Sequence, residues 1–271
     1  MYCNSRLFVL ISVLVFTVSA NDLELTFETK NLKEKGEIHT GTMYVSGTRV
    51  TMKVFNAKAE GYMIFRGDKN LIWAVDDTKK EYMEITRETL AKIGGAVNDA
   101  MAELEAQMAN MPPEQREMMK GMMEQQMGEI MKAAKQEMEF VNTGETKKIN
   151  GYTCTRYVAK HDKEISRELW VTKWGSFKNS QEIMTAFKAM SDFSKSLLES
   201  LQNTPLANAF DTPYSYSEKI GGFPVLVVEY DEGKPVLETL FKSAAKKKLA
   251  AGIFEPPDGY TVNKPDMPER K

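Results

Sequence analysis

The chain has 271 residues, of which 42% are hydrophobic and 27% are charged, and its formal net charge is −2. This near balance argues against a nucleic-acid-binding domain, because such domains concentrate Lys and Arg to neutralise phosphates. The length is sufficient for one large domain or two small ones.

The first twenty residues have the three parts of a secretory signal peptide. Arg6 supplies a positive charge, residues 7–18 (LFVLISVLVFTV) are almost wholly apolar, and Val18-Ser19-Ala20 resembles a cleavage site. A permanent membrane anchor is disfavoured, because the apolar run is shorter than the about 20 residues that span a bilayer. We expect cleavage after Ala20 and export to the periplasm or the extracellular space.

Six strands are predicted near the start of the mature chain, separated by turn signals such as Ser46-Gly47. They cover residues 23–30, 38–46, 48–56, 62–66, 70–76 and 81–85. Because the connections are very short, consecutive strands must pair in antiparallel fashion. The pattern therefore predicts an antiparallel meander.

The strand at 48–56 alternates between its two faces. Val50, Met52 and Val54 share one face, while Thr51 and Lys53 point away.

The next two strands are instead apolar on both faces, which indicates cover on both sides. Helices must pack on one face, or the sheet must curl round a filled interior. Phe65 and Trp73 belong to these strands, and we expect Trp73 in particular to line a cavity.

Residues 86–138 predict a helical hairpin. Apolar residues recur at steps of three and four from Leu90 to Met111, which is the pattern of an amphipathic helix. Met111-Pro112-Pro113 ends that helix, because proline cannot continue a helix interior, and a second helix begins near Pro113.

Strands are predicted again at 139–149, 152–160 and 163–174, followed by a helix at 179–202. Two more strands, 223–231 and 235–245, precede a tail at 254–271 that contains four prolines and is predicted to be extended. Roughly eleven strands are at the upper end for an open sheet, which would curl.

Six short motifs carry a family resemblance. They are DDTKKEY (76–82), TGET (143–146), INGYTCTRY (149–157), ELWVT (168–172), GFPV (222–225) and FEPPDGY (254–260). Together they resemble an uncharacterised domain-of-unknown-function family of exported bacterial proteins, related to the LolA-like superfamily of periplasmic lipoprotein carriers. The resemblance runs across most of the mature chain.

This resemblance implies an α+β fold, with residues 21–271 in a single LolA-like domain. The expected architecture is a strongly curved antiparallel β half-barrel of roughly eleven strands, with a helical lid on its concave face. Members of the wider superfamily carry lipids or lipoproteins, or sense them. LolA-type carriers hold the lid closed with an arginine on an early strand. Arg49 is the nearest candidate, but its flanking residues differ and the role is not transferred.

Ten methionines fall between residues 101 and 138, and their role has more than one interpretation. Methionine is flexible and polarizable, so these side chains suit a lid over varied apolar ligands. Thioethers also select Cu(I), and Met118, Met119, Met122 and Met123 are spaced to converge on a Cu(I) or Ag(I) ion. A dimer interface is a third interpretation. We favour the lid, because metal sites normally recruit His or Cys as well.

No catalytic motif is present, so no catalytic residue and no cofactor are nominated. His39 and His161 lie beside predicted strand ends without a positioned partner. Cys154 is the one cysteine that remains after signal cleavage. We expect it to be buried rather than to form an intermolecular bridge.

The sequence therefore predicts a non-enzymatic periplasmic carrier or sensor of a lipid, of lipoprotein acyl chains or of another apolar small molecule. The ligand would lie between the sheet and the helical lid. The residues expected to bind it are Val50, Met52, Val54, Phe65, Trp73, Met119, Met122, Met123 and Met127. The alternatives are a Met-rich Cu(I)- or Ag(I)-binding protein and an envelope-stress module that binds another envelope protein.

Overall fold

The computed structural model describes residues 22–33, 37–53, 61–119, 121, 138–161, 164–200 and 220–263. The first block of strands contains β1 (Leu23–Asn31), β2 (Ile38–Ser46), β3 (Arg49–Lys53), β4 (Gly61–Arg66), β5 (Leu71–Asp76) and β6 (Glu81–Ile85). The second block contains β7 (Glu139–Ile149), β8 (Tyr152–His161), β9 (Glu164–Lys173), β10 (Gly222–Asp231), β11 (Lys234–Lys246) and β12 (Thr261–Val262). The long helices are α1 (Arg87–Ala109) and α2 (Ser180–Ser200).

The twelve strands form one large, curved and unclosed sheet in the order β12-β6-β5-β4-β3-β2-β1-β11-β10-β9-β8-β7. Strand β1 pairs with β2 on one side and with β11 on the other, so it joins the two blocks. All pairs among the described strands are antiparallel except β12 with β6. The eleven predicted strands are confirmed, and the twelfth is a two-residue strand within the predicted tail.

The turn between β7 and β8 explains the Asn-Gly pair in the motif INGYTCTRY (149–157). Asn150 and Gly151 both adopt positive φ, 46° and 85°, as a tight two-residue hairpin turn requires. The Asn150 side-chain amide also donates hydrogen bonds of 2.8 Å to the carbonyl oxygens of Phe241 and Lys242. The turn therefore ties this hairpin to β11, which lies elsewhere in the sheet.

One face of the sheet, here called the helix face, is covered by α2. The amphipathic pattern predicted at 179–202 is the reason, since one side of α2 is apolar and buried. The sheet residues beneath it come from both strand blocks. They include Leu25, Val45, Val50, Phe65, Phe223 and Phe241.

The opposite face, here called the tail face, is covered by the C-terminal segment, residues 249–260. Ile64, Trp73 and Val75 of the sheet are buried there against Phe254, which is 1% exposed. The predicted requirement for cover on both faces is therefore confirmed. A 3₁₀ helix over residues 251–254 was not predicted, and its last residue, Phe254, is the first residue of the tail predicted to be extended.

Thr51 points away from the face of Val50, as predicted, but the face that it points to is buried as well, under the tail cover. The side chain is 1% exposed, and its hydroxyl donates a 2.7 Å hydrogen bond to the carbonyl oxygen of Ile253. A buried hydroxyl is tolerated when it has such a partner. Thr51 therefore fastens the tail segment to β3.

Arg66 is the second fastening point of the tail. Although only 6% exposed, its guanidinium donates to both carboxylate oxygens of Asp68, at 2.8 and 2.7 Å. It also donates to the carbonyl oxygen of Phe254 and forms an ion pair with Glu255. The hydrogen bond from Arg66 is the largest cause that holds the pKa of Asp68 below its usual value. The buried charge of Arg66 is tolerated because the guanidinium is both ion-paired and hydrogen-bonded.

We predict that the Phe254→Ala variant is less stable by about 3–5 kcal/mol, because it leaves a cavity under the tail cover. Urea denaturation followed by circular dichroism measures this difference. The matched control is Val262→Ala, whose side chain is 47% exposed, and it should stay within about 0.5 kcal/mol of the parent. Coinciding transitions for parent and F254A would contradict the tail as a core element.

A second prediction concerns alkaline pH. Burial, followed by the charges of Asp77 and Tyr260, raises the pKa of Tyr62 on the tail face to about 12. Unfolded chains lose this phenolic proton near pH 10, whereas the folded chain keeps it. Stability should therefore fall as the pH rises from about 10 through about 12.

The measurement is the tyrosinate absorbance of the folded protein across this range. Because the pKa values of Tyr230 and Tyr260 are also raised, the Tyr62→Phe variant should lose the amplitude of one tyrosine from the high-pH component. An unchanged high-pH component in that variant would disprove the assignment.

Candidate functional site

The candidate site is the apolar interface between α2 and the helix face. One wall of the site is an apolar stripe on α2. Its residues recur at steps of three and four, so their side chains lie on one side of the helix. The stripe comprises Ile183, Ala186, Phe187, Met190, Phe193 and Leu197, each at most 6% exposed. At the sheet, the ring of Phe65 lies 5.5 Å from that of Phe193, measured between centroids.

An aromatic cluster anchors the start of α2. Trp174 and Phe177, in the connection from β9, lie beside Phe187 of the helix and Phe223 and Phe241 of the sheet. Trp174 meets Phe187 edge-on at 6.3 Å and Phe223 at 5.8 Å, while Phe177 lies 6.0 Å from Phe241. Offset and edge-on ring pairs at these distances add attraction beyond simple burial. The beginning of α2 is thus fixed to the second block of strands.

Helix α1 joins the interface only through its first turns. Thr86 caps it, accepting a hydrogen bond from the backbone N–H of Thr89, and Leu90 is buried in the helix-face core with Ile93 packed beside it. Farther along the predicted stripe, Leu104 and Met108 are only half-buried. The apolar side of α1 is therefore incompletely covered by the described residues.

The predicted site residues do not all come together. Val50 and Phe65 are fully buried in the helix-face core, and Met52 packs at its margin. Trp73 lies on the tail face instead, where its indole N–H donates to Glu84 at 3.0 Å. A single cavity lined by Trp73 together with Val50 is therefore not formed.

The methionines nominated from the helical hairpin are described only in part. Residues 113–119 are helical, as predicted for the start of the second helix, and there Met119 is half-buried and Met118 is 67% exposed. Met122, Met123 and Met127 lie outside the described residues, as does Val54 of the predicted strand at 48–56.

Sequence reasoning missed the site residues on α2. Phe187, Met190 and Phe193 were placed on the apolar side of that helix but were not nominated as ligand-binding. The sequence feature that could have identified them was the apolar stripe, whose side chains form one wall of the interface.

A polar network borders the helix face beside β8 and β9. Glu168 accepts from the Arg156 guanidinium at 2.6 Å and from the Trp170 indole N–H at 2.6 Å. Arg156 also pairs with Glu145 at 3.2 Å. The two carboxylates outnumber the single guanidinium, so the network is a poor receptor for an anionic group, and its hydrogen bond from Trp170 orients that ring in the core.

Arg49 does not act on α2. Its guanidinium donates to the Ser46 hydroxyl at 2.7 Å and lies 4.9 Å from the centre of the Phe254 ring. That ring belongs to the tail cover. The position of Arg49 therefore does not match the lid-holding role of the arginine in LolA-type carriers.

The histidines and carboxylates show no metal centre among the described residues. In that part of the chain, no three or more His, Cys, Asp or Glu side chains group closely enough to hold an ion. His39 faces Glu37 at 3.7 Å, and His161 ends β8. Within the same described ranges, no helix is both long and apolar enough to cross a membrane.

Comparison with known proteins supplies the family. A family model described as a domain of unknown function, DUF4412, matches residues 87–260. The chain belongs to the DUF4412 family. This confirms the resemblance to an uncharacterised domain family, and five of the six motifs lie inside the matched residues. No curated protein is significantly similar to this DUF4412 chain.

Several solved structures resemble the DUF4412 chain distantly. An uncharacterised conserved protein from Thermus thermophilus has 8% identity and a TM-score of 0.44, with 90% of each chain covered. A LolA superfamily protein from Nitrosomonas europaea has 7% identity and a TM-score of 0.28 over 88% of this chain and 91% of that one. PNGF-II has 12% identity and a TM-score of 0.39 over 89% of this chain, which spans only 30% of PNGF-II. TM-scores this low support no inference about function.

Cys154 of this DUF4412 protein is fully buried on the helix face, and burial raises the pKa of its thiol. Because the thiolate is the reactive form, we predict that iodoacetamide modifies the native protein very slowly and the guanidinium-unfolded protein completely. Mass spectrometry after timed quenching measures both. Prompt native modification, or a disulfide-linked dimer on non-reducing gels, would contradict burial of this thiol.

Proposed function

We propose that this DUF4412 protein is a non-enzymatic, exported carrier or sensor of a lipid or another apolar ligand. The ligand lies on the helix face, with α2 and the first turns of α1 as a movable lid. The observation that carries the proposal is the apolar stripe of α2 on an apolar sheet face. Export rests on the signal peptide predicted in residues 1–20.

Apolar packing makes this interface suitable for exchange. Contacts of this kind are non-directional and stabilise by about 25 cal/mol per Å² of apolar surface removed from water. An acyl chain that replaces the α2 stripe against Phe65 buries comparable surface. It also leaves few polar groups without partners, because the interface is dominated by hydrocarbon side chains.

The margin of the helix face supports the same proposal. Met52 and Met63 pack against the core but are only half-buried. Methionine has three rotatable bonds and fills irregular space, so this margin adapts to chains of different shape. Helix α1 also contacts α2, and its half-buried stripe, with Leu104 and Met108, supplies further apolar surface.

We predict that the gently purified mature protein carries lipid, detected by native mass spectrometry and identified after extraction. Delipidated protein should then bind a fluorescent fatty acid analogue, and palmitate should displace it. Protein that is consistently empty and also rejects the fatty acid would refute the carrier function.

Trp174 offers a reporter of lid movement in the same experiment. Its ring meets Phe187 of α2, so a ligand that displaces α2 should change the Trp174 fluorescence. The change should be reduced in Trp174→Phe, with the remainder coming from Trp170 of the helix-face core, and kept in Trp73→Phe, since Trp73 lies on the tail face. Fatty acid binding with a signal that depends on Trp73 would place the ligand on the wrong side of the sheet.

A further inference from the structure

The first six strands place all their methionines in one row across the sheet. Met43 on β2 faces Met52 on β3, and Met52 faces Met63 on β4. The row continues through Ala74 on β5 to Met83 on β6. These four are the only methionines between residues 2 and 100. Their alignment across strands is invisible in the sequence, because it depends on register.

The row lies on the helix face. Met43 is 3% exposed and belongs to the helix-face core, while Met52 and Met63 pack against that core. Met52 and Met63 are half-buried, so the row runs from the packed interior to a more accessible margin.

The neighbouring row on the same face shows that packing alone does not require methionine. Two residues along the strands, Val45 faces Val50, Val50 faces Phe65, Phe65 faces Ile72 and Ile72 faces Ile85. That row is made entirely of branched and aromatic side chains. Both rows fill the same apolar interface, yet only the methionine row carries sulfur at strand after strand.

Three thioethers on adjacent strands have the reach to share one ion. Facing residues of an antiparallel pair have Cβ atoms about 4.5–5.5 Å apart. The methionine side chain is long and flexible, so sulfur atoms of neighbouring strands can converge between them. Thioethers are soft ligands that suit monovalent copper rather than the hard ions Mg²⁺ or Ca²⁺. Ag(I) shares this chemistry.

We propose that Met43, Met52 and Met63 form a binding site for one Cu(I) or Ag(I) ion. This set is distinct from the helical Met118 and Met119, and it lies on rigid strands whose register already brings the thioether-bearing residues side by side. The site does not depend on lipid carriage, and its test is made on delipidated protein.

The test is a titration of the mature chain with silver nitrate in chloride-free buffer, followed by NMR of ¹³C-methyl-labelled methionine. Single Met→Leu variants assign the methyl signals. The expected result is a joint shift of the Met43, Met52 and Met63 methyl groups that saturates at one Ag(I) per chain. A Cu(I) competition assay with a chromogenic chelator then measures the affinity.

Two matched double variants decide which thioethers bind. M52L/M63L keeps apolar volume and removes two sulfur atoms, so it should weaken binding by roughly tenfold or more. M118L/M119L removes two sulfur atoms from the helical segment and should bind as the parent does. Thermal melting curves check that each variant is folded. If M52L/M63L does not fold, the methyl shifts of the parent show which methionines bind the ion.

Four outcomes would overturn the proposal. Three concern a different location: parent affinity in folded M52L/M63L, loss of affinity in M118L/M119L instead, and shifts confined to methyl groups of residues 101–138. The fourth is absence of Ag(I) binding by the parent. Fatty acid binding by the same preparations is scored separately, so failure of the metal site leaves the carrier function testable.

Discussion

The structure depends on the burial of both faces of the sheet at β4 and β5. Ile64 and Phe65 are consecutive, point to opposite faces and are both fully buried. A strand with this pattern is stable only if each face is covered, since exposure of either would return large apolar surface to water. The chain provides the two covers from distant parts of its length: α2 for one face and residues 249–260 for the other.

The two covers are held by different kinds of interaction. The tail is fastened by directional bonds, from Thr51 to the Ile253 carbonyl oxygen and from Arg66 to Glu255, and by the pairing of β12 with β6. Removing such a cover would leave Arg66 without Glu255 and the Phe254 carbonyl oxygen, which is costly. Helix α2 is held mainly by apolar side chains, which tolerate replacement by another apolar group. This difference supports the helix face as the place of the proposed exchangeable ligand.

The sequence contained enough information for the strands and for the helix stripe, because alternation, short turns and steps of three and four are local patterns. It did not contain the register. Alternation within β5 separates Trp73 from Ile72, but only the pairing of Phe65 with Ile72 and of Ile64 with Trp73 assigns each to a face. Without that pairing, the sequence groups Trp73 with Val50. The tail cover was missed for a related reason, since prolines suggest extended chain and carry no information about what the chain lies on.

Because of the register, the helix face carries two rows of side chains that differ in conformational freedom. The row from Val45 through Val50 to Phe65 is built from side chains with few rotamers, so it offers α2 a surface of nearly constant shape. The parallel row from Met43 through Met52 to Met63 is also apolar but has many conformations, so it is where the interface can rearrange. Leucine would preserve the apolar character of that row and abolish its sulfur chemistry. The proposed adaptation to an acyl chain and the proposed binding of a soft ion would thus be separable properties of this row.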